Sequence, residues 1–127
     1  MHSNPESYQP GVCNIDDRGA SVRRILGWAS AVAGVVVLGW MWSSHVLPSY
    51  RYLVAVIFSG ASIINFRQAK FRFCVVNGSK GWYEILGKKF EIVGEENRRI
   101  DRKRANREFI FASLMALVVG TVALIPV

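Results

Sequence analysis

The sequence predicts an all-α integral membrane protein: three transmembrane helices, the first two a tight hairpin and the third a long C-terminal helix, with a short β-hairpin in the loop before it. Three observations lead there. The chain of 127 residues is 51% hydrophobic and 20% charged, and its 25 charged residues are segregated, six in residues 1–24, eighteen in residues 67–108 and only Arg51 elsewhere. Residues 25–50, 52–66 and 109–127 are therefore charge-free, approaching or exceeding the roughly 18 uncharged residues that mark a membrane span. Twelve of the sixteen Lys and Arg fall between the second and third blocks. A water-soluble domain intersperses polar and apolar positions, so this distribution argues against a soluble globular enzyme.

Four segments follow: a polar tail (1–24), a transmembrane hairpin (25–66), a basic loop with a helical extension (67–108) and a third span (109–127). Pro5, Pro10, Gly11 and Gly19 break the tail, which is expected to be irregular until a helix begins near Ala20; Asp16 and Asp17 suit the positive end of that helix. The first span then has a Gly, Ala, Val and Leu interior, with Trp28 near one end and Trp40, Trp42, Tyr50 and Tyr52 near the other, as aromatic rings sit at headgroup level. A cleavable signal peptide is not expected, because the apolar stretch is longer than a signal's about 7 to 15 residues and no small-x-small site follows.

The second block is short and needs residues 48–51 to cross. Pro48 is comfortable in a first helical turn, and Arg51 is expected to reach out to the headgroups. A re-entrant segment is the alternative. Beyond this span Arg67, Lys70 and Arg72 prolong the helix, and Asn77-Gly78 and Gly81 are expected to break it. Trp82 to Leu86 and Lys88 to Val93, separated by Gly87 and closed by Gly94, read as a short hairpin. An interfacial patch with Trp82, Leu86 and Phe90 in the headgroups competes with it, and so small a hairpin needs support. From Glu95, with Glu95 and Arg99 spaced for an i,i+4 pair, one helix runs into the third span, which Pro126 stops.

Orientation follows from basic flanks, since Lys and Arg resist translocation. The tail carries Arg18, Arg23 and Arg24, the hairpin tip only Arg51. The N-terminus and basic loop are expected in the cytoplasm and the C-terminus outside.

Chemistry is sparse. Cys13 and Cys74, the only cysteines, fall on the same predicted side and form a candidate thiol pair for redox or sulfur handling. Packing thiols are the plainer reading, since cytosolic cysteines stay reduced and a zinc site lacks two ligands, His45 being remote and His2 in the tail. Arg98, Arg99, Arg102, Lys103, Arg104 and Arg107 surround only Asp101. Such a juxtamembrane cluster contacts anionic lipid headgroups or an acidic partner. Nucleic acid is not expected despite a pI near 9.9, because no recognition module accompanies the charge. The segment from Gly81 to Lys89 misses a phosphate-binding loop by one residue of spacing and by Lys89 in place of Ser or Thr. Asn77-Gly78-Ser79 is a glycosylation sequon on the wrong side. No ionisable group interrupts the spans, so transport requires oligomerisation or a larger complex. Ala112, Ala116 and Gly120 recur every four residues, as do Gly27 with Ala31, Ser30 with Gly34, and Ala55 with Ser59. These faces let helices pack with each other or a partner. No cofactor is expected.

Cys13-Asn14-Ile15, Arg23-Arg24-Ile25-Leu26-Gly27, Gln68-Ala69-Lys70 with Phe73-Cys74, and Asp101-Arg102-Lys103-Arg104-Ala105 resemble the motifs of a group of small three-span bacterial membrane proteins that open on Cys-Asn-Ile. More distantly, the first two spans look like the YgaP-type two-helix inner-membrane domain. The rhodanese module that domain accompanies has no counterpart here, so sulfur transfer does not carry over. The resemblance implies a bacterial inner-membrane protein and keeps Cys13 and Cys74 in view. The expected function is a non-enzymatic accessory or assembly subunit, a homo-oligomer or part of a larger membrane complex. A thiol-dependent factor and an oligomeric transport component are the alternatives.

Overall fold

The computed structural model describes residues 8–85 and 87–126; His2 and Leu86 lie outside them. Of the described residues 74% are helical, in helices α1 (Asp17–Ser43), α2 (Pro48–Phe71), α3 (Val75–Lys80) and α4 (Glu95–Gly120) and a 3-10 turn (Thr121–Leu124), beside strands β1 (Trp82–Ile85) and β2 (Lys88–Glu91). Among the described residues three helices are long and apolar enough to cross a membrane. α2 lies between the other two, packing against α1 on one side and α4 on the other.

Local chemistry sets the ends of these elements. Asp16 caps α1 by accepting the Gly19 N–H at 3.1 Å, three residues before the expected start. His45, in the left-handed region at φ 56°, turns the chain back, and Pro48 takes the first turn of α2. At its far end α2 stops at Arg72, also left-handed at φ 54°, rather than at Asn77-Gly78. Those two residues sit buried inside α3. Gly78 is there for proximity: a Cβ would meet the Phe73 ring at 2.7 Å. Gly81, at φ 78°, closes α3 as expected of a C-terminal glycine.

The hairpin forms with Trp82 opposite Glu91 and Ile85 opposite Lys88, turning through Gly87 at φ 78°. Its support comes from the tail. The Glu84 N–H donates to the Asn14 carbonyl at 2.8 Å, Ile15 bridges Glu84, and Tyr8, Tyr83 and Phe90 stack at centroid distances of 4.6 and 5.4 Å. The tail from Tyr8 onward is thus docked, a correction to the expectation of an irregular segment. Glu95 and Arg99 also differ: Glu96 takes Arg99 at 2.6 Å, one turn back, and Glu95 faces Arg102 at 4.0 Å.

Small residues bring the long helices together. A Cβ at Gly27 would touch the Phe66 ring at 3.0 Å, one at Gly34 would meet Phe58 Cβ at 2.8 Å, and one at Gly60 lies 3.4 Å from Ala116. Ala112, Ala116 and Gly120 are all buried, Gly120 against Val56 and Tyr52 of α2. That small-residue face is therefore occupied within the chain. We expect Gly34→Ala to cost about 1 to 3 kcal/mol by overpacking, because the atom it meets is a Cβ that cannot swing aside. Gly39→Ala, with open space around it, should leave thermal stability in detergent unchanged, and equal melting of the two variants would contradict this packing.

Arg51 departs furthest from expectation. Instead of reaching outward it is 5% exposed, donating from Nε to Ala123 O at 3.0 Å, from Nη1 to Val46 O at 2.7 Å and from Nη2 to Ile125 O at 3.3 Å. The last carbonyls of a helix have no intrahelical donor, and those of Ala123 and Ile125 face Arg51. One guanidinium thus ties the hairpin tip to the end of the third long helix. Trp42 adds an N–H to Ile125 O at 3.1 Å, and Tyr52 a hydroxyl to Leu117 O at 3.1 Å.

Candidate functional site

The polar residues converge at one end of the molecule, where residues 8–16, α3, the hairpin and the first turns of α4 enclose a small polar core. Its centre is Asn14. The side chain accepts the Cys74 N–H at 2.6 Å and donates to Cys74 O at 3.1 Å, while its backbone N–H donates to Arg72 O at 2.9 Å. Ile15 N–H shares that carbonyl at 3.2 Å. The left-handed turn at Arg72 exposes its carbonyl by ending α2, which explains why the chain breaks there.

The stretches Cys13-Asn14-Ile15 and Phe73-Cys74 are thus bound to each other. Ile15, Ala20 and Cys74 form a buried apolar cluster, and Phe73 is buried beside it. No disulfide joins the thiols. Cys74 is buried with Arg23 Nη2 donating to its Sγ at 3.1 Å. Cys13 is half-buried, and burial pushes its pKa up, against the smaller pull of Arg72. A raised pKa leaves less thiolate at neutral pH. A maleimide reagent at pH 7.5 should therefore modify both cysteines slowly in the folded protein and quickly after denaturation; rapid native labelling of Cys13 would contradict the geometry.

Residues 8–11 form a strap across α4. Asp101, fully buried, accepts the Gly11 N–H at 2.6 Å and the Tyr8 hydroxyl at 3.1 Å. Arg104 Nη1 returns a bond to Gly11 O at 2.5 Å. Gly11 is at φ 71°, and a Cβ would stand 2.7 Å from Ile100, so both conformation and space require glycine. Burial, followed by the Asp101 charge, pushes the Tyr8 pKa above its ordinary range.

Beneath the strap, Arg67 of α2 pairs with Glu108 of α4 through Nε to Oε1 at 2.6 Å and Nη2 to Oε2 at 3.2 Å, and Arg104 joins the same carboxylate at 3.3 Å. This triad was not anticipated from the sequence. Its signal was there: Glu108 is the last charge before the third apolar block and Arg67 the first after the second, so antiparallel helices set them at one level.

The six predicted contact residues separate into two groups. Arg98 donates to Ile92 O at 2.8 Å and faces Glu91 at 3.8 Å, while Arg102 faces Glu95; both serve the local structure. Arg99, Lys103, Arg104 and Arg107 instead line a groove of about 240 Å³ together with Gly11 and Ile100. Among the described residues Lys103 and Arg107 have no carboxylate partner, and both are exposed. The groove thus concentrates the positive charge of the cluster, whose other four basic residues are paired with carboxylates. No family model, curated protein or solved structure matches this chain.

Proposed function

We propose that this chain is a non-enzymatic, three-span subunit of the bacterial inner membrane, with its N-terminus and basic end in the cytoplasm and its C-terminus outside, acting in the assembly of a larger membrane complex or of its own oligomer. The observation that carries the reading is how little of the apolar helices is covered from within: 17%, 22% and 28% of their most apolar stretches are buried inside the chain. Exposed residues such as Val35, Val36, Leu114 and Val118 need a hydrocarbon solvent or another protein. The twelve basic residues of the 67–108 segment support a cytoplasmic position for that segment, because Lys and Arg resist translocation.

The polar end supports the subunit role by being a folded platform held to the helices by Asn14, Asp101 and the Arg67–Glu108 pair. It presents one fixed shape to a neighbour at the membrane surface. The thiol reading has less behind it, since Cys74 is sealed in the core and the acidity of Cys13 moves away from reactivity. Native mass spectrometry after extraction in mild detergent tests the proposal. Stable dimers, higher oligomers or a stoichiometric co-purifying membrane protein are expected; a strictly monomeric, partner-free chain would contradict it.

A further inference from the structure

We propose that the groove between the N-terminal strap and α4 is a binding site for a phosphate-group anion, filled in the membrane by an anionic phospholipid headgroup. Arg99, Lys103 and Arg107 stand at i, i+4 and i+8 on α4 and so share one face, with Arg104 beside them. Arg104 is held at Gly11 O and at Glu108. It is a fixed wall, while Lys103 and Arg107 stay free to close on a ligand.

The strap completes the site without opposing it. Its Gly11 carbonyl is taken by Arg104 and its N–H by Asp101. Asp101 is buried under the strap and bonded to Tyr8, so the acid nearest the groove in sequence does not face it. Glu96 pairs with Arg99 at the outer end and its charge also reaches Lys103, so the groove's four cations keep an excess, greatest at Arg107. An anion with several acceptor oxygens answers an array of donors of this kind.

Depth selects the source of the phosphate. With a helical rise of about 1.5 Å per residue, Arg107 lies about 3 Å and Lys103 about 9 Å above Phe109, where the apolar stretch begins. The headgroup layer is about 5 to 8 Å thick on each face, so Arg107 lies within it and Lys103 at its outer edge. This rests on the three-span orientation proposed above and is independent of the assembly role.

The test uses the full chain, delipidated in detergent, with lipid binding read by native mass spectrometry. Phosphatidylglycerol should bind at least about tenfold more tightly than phosphatidylcholine, whose choline cation would meet the groove's own charge. Lys103→Gln with Arg107→Gln should abolish that preference, Lys103→Arg with Arg107→Lys should keep it, and Lys88→Gln with Lys89→Gln, which removes the same charge from the hairpin, should leave it intact. Glycerol phosphate at millimolar concentration distinguishes the sources: displacement of the lipid marks a site that also takes free phosphate, and no displacement marks a lipid site, both as proposed. Equal loss in the groove and hairpin variants, or no preference in the wild type, would overturn the proposal. Binding in detergent does not depend on orientation, so failure of the site and failure of the topology are read separately.

Discussion

Asp101→Ala should release the N-terminal strap and lower the stability of the polar end by about 3 to 5 kcal/mol, the cost of breaking a buried charged network from one side. The carboxylate takes two hydrogen bonds, from Gly11 N–H and the Tyr8 hydroxyl. Removing it leaves the part-buried Gly11 N–H unpaired and Arg104 with Glu108 as its remaining counter-charge. Amide hydrogen exchange is the direct readout: protection at Gly11 to Ile15 should fall in the variant while the apolar helices stay protected. Unchanged exchange would show that the strap is held by something else. The same contact gives a pH dependence. The Tyr8 hydroxyl keeps its proton in the fold to a higher pH than in the unfolded chain, so its contribution is complete below about pH 10 and is lost as pH rises through the folded value above that. Strap protection should hold through neutral and mildly alkaline pH and decline in strong alkali, and Tyr8→Phe should remove that decline.

Arg51→Met should be nearly as damaging, lowering stability in detergent by about 3 to 5 kcal/mol. The carbonyls of Val46 and Ala123 lose the guanidinium donor, and that of Ile125 keeps only the Trp42 N–H. Arg51→Lys should rescue only in part, because an ammonium on a flexible stem does not reproduce the planar fork that spans them. Thermal unfolding followed by circular dichroism should rank the proteins wild type, lysine, methionine. A lysine variant as stable as wild type would mean that charge alone, without geometry, holds the chain's end.

These two residues also show where sequence reading stopped. The three apolar blocks, the hairpin at Gly87 and the long helix from Glu95 were legible because each depends on a local signal: uncharged length, a glycine turn, a 3.6-residue period. Arg51 was expected to seek the headgroups because its local context is a helix end; its partners lie 72 and 74 positions away. The strap was hidden for the same reason, Gly11 and Asp101 being 90 residues apart. Asn77-Gly78 misled because the pair is a turn signal by composition, whereas here the glycine makes room for Phe73.

At the candidate site the basic run was plain in the sequence, but its division was not. Glu91, Glu95, Glu96 and Glu108 partner four of its arginines, and only the fold leaves Lys103 and Arg107 to face an open groove. The cysteines were singled out for their chemistry. Their motifs act instead through Asn14, an ordinary residue in the sequence that binds Cys74 from both sides.

The central claim is that three apolar helices cross the bilayer and leave the basic end inside. Single cysteines at His45, in the turn between α1 and α2, and at Val93, the most exposed large apolar residue of the polar end, test it in intact cells against the unsubstituted chain as baseline. A membrane-impermeant maleimide should label His45→Cys in whole cells and Val93→Cys only after the membrane is opened. Labelling of Val93→Cys from outside, or of neither position until lysis, would contradict the account.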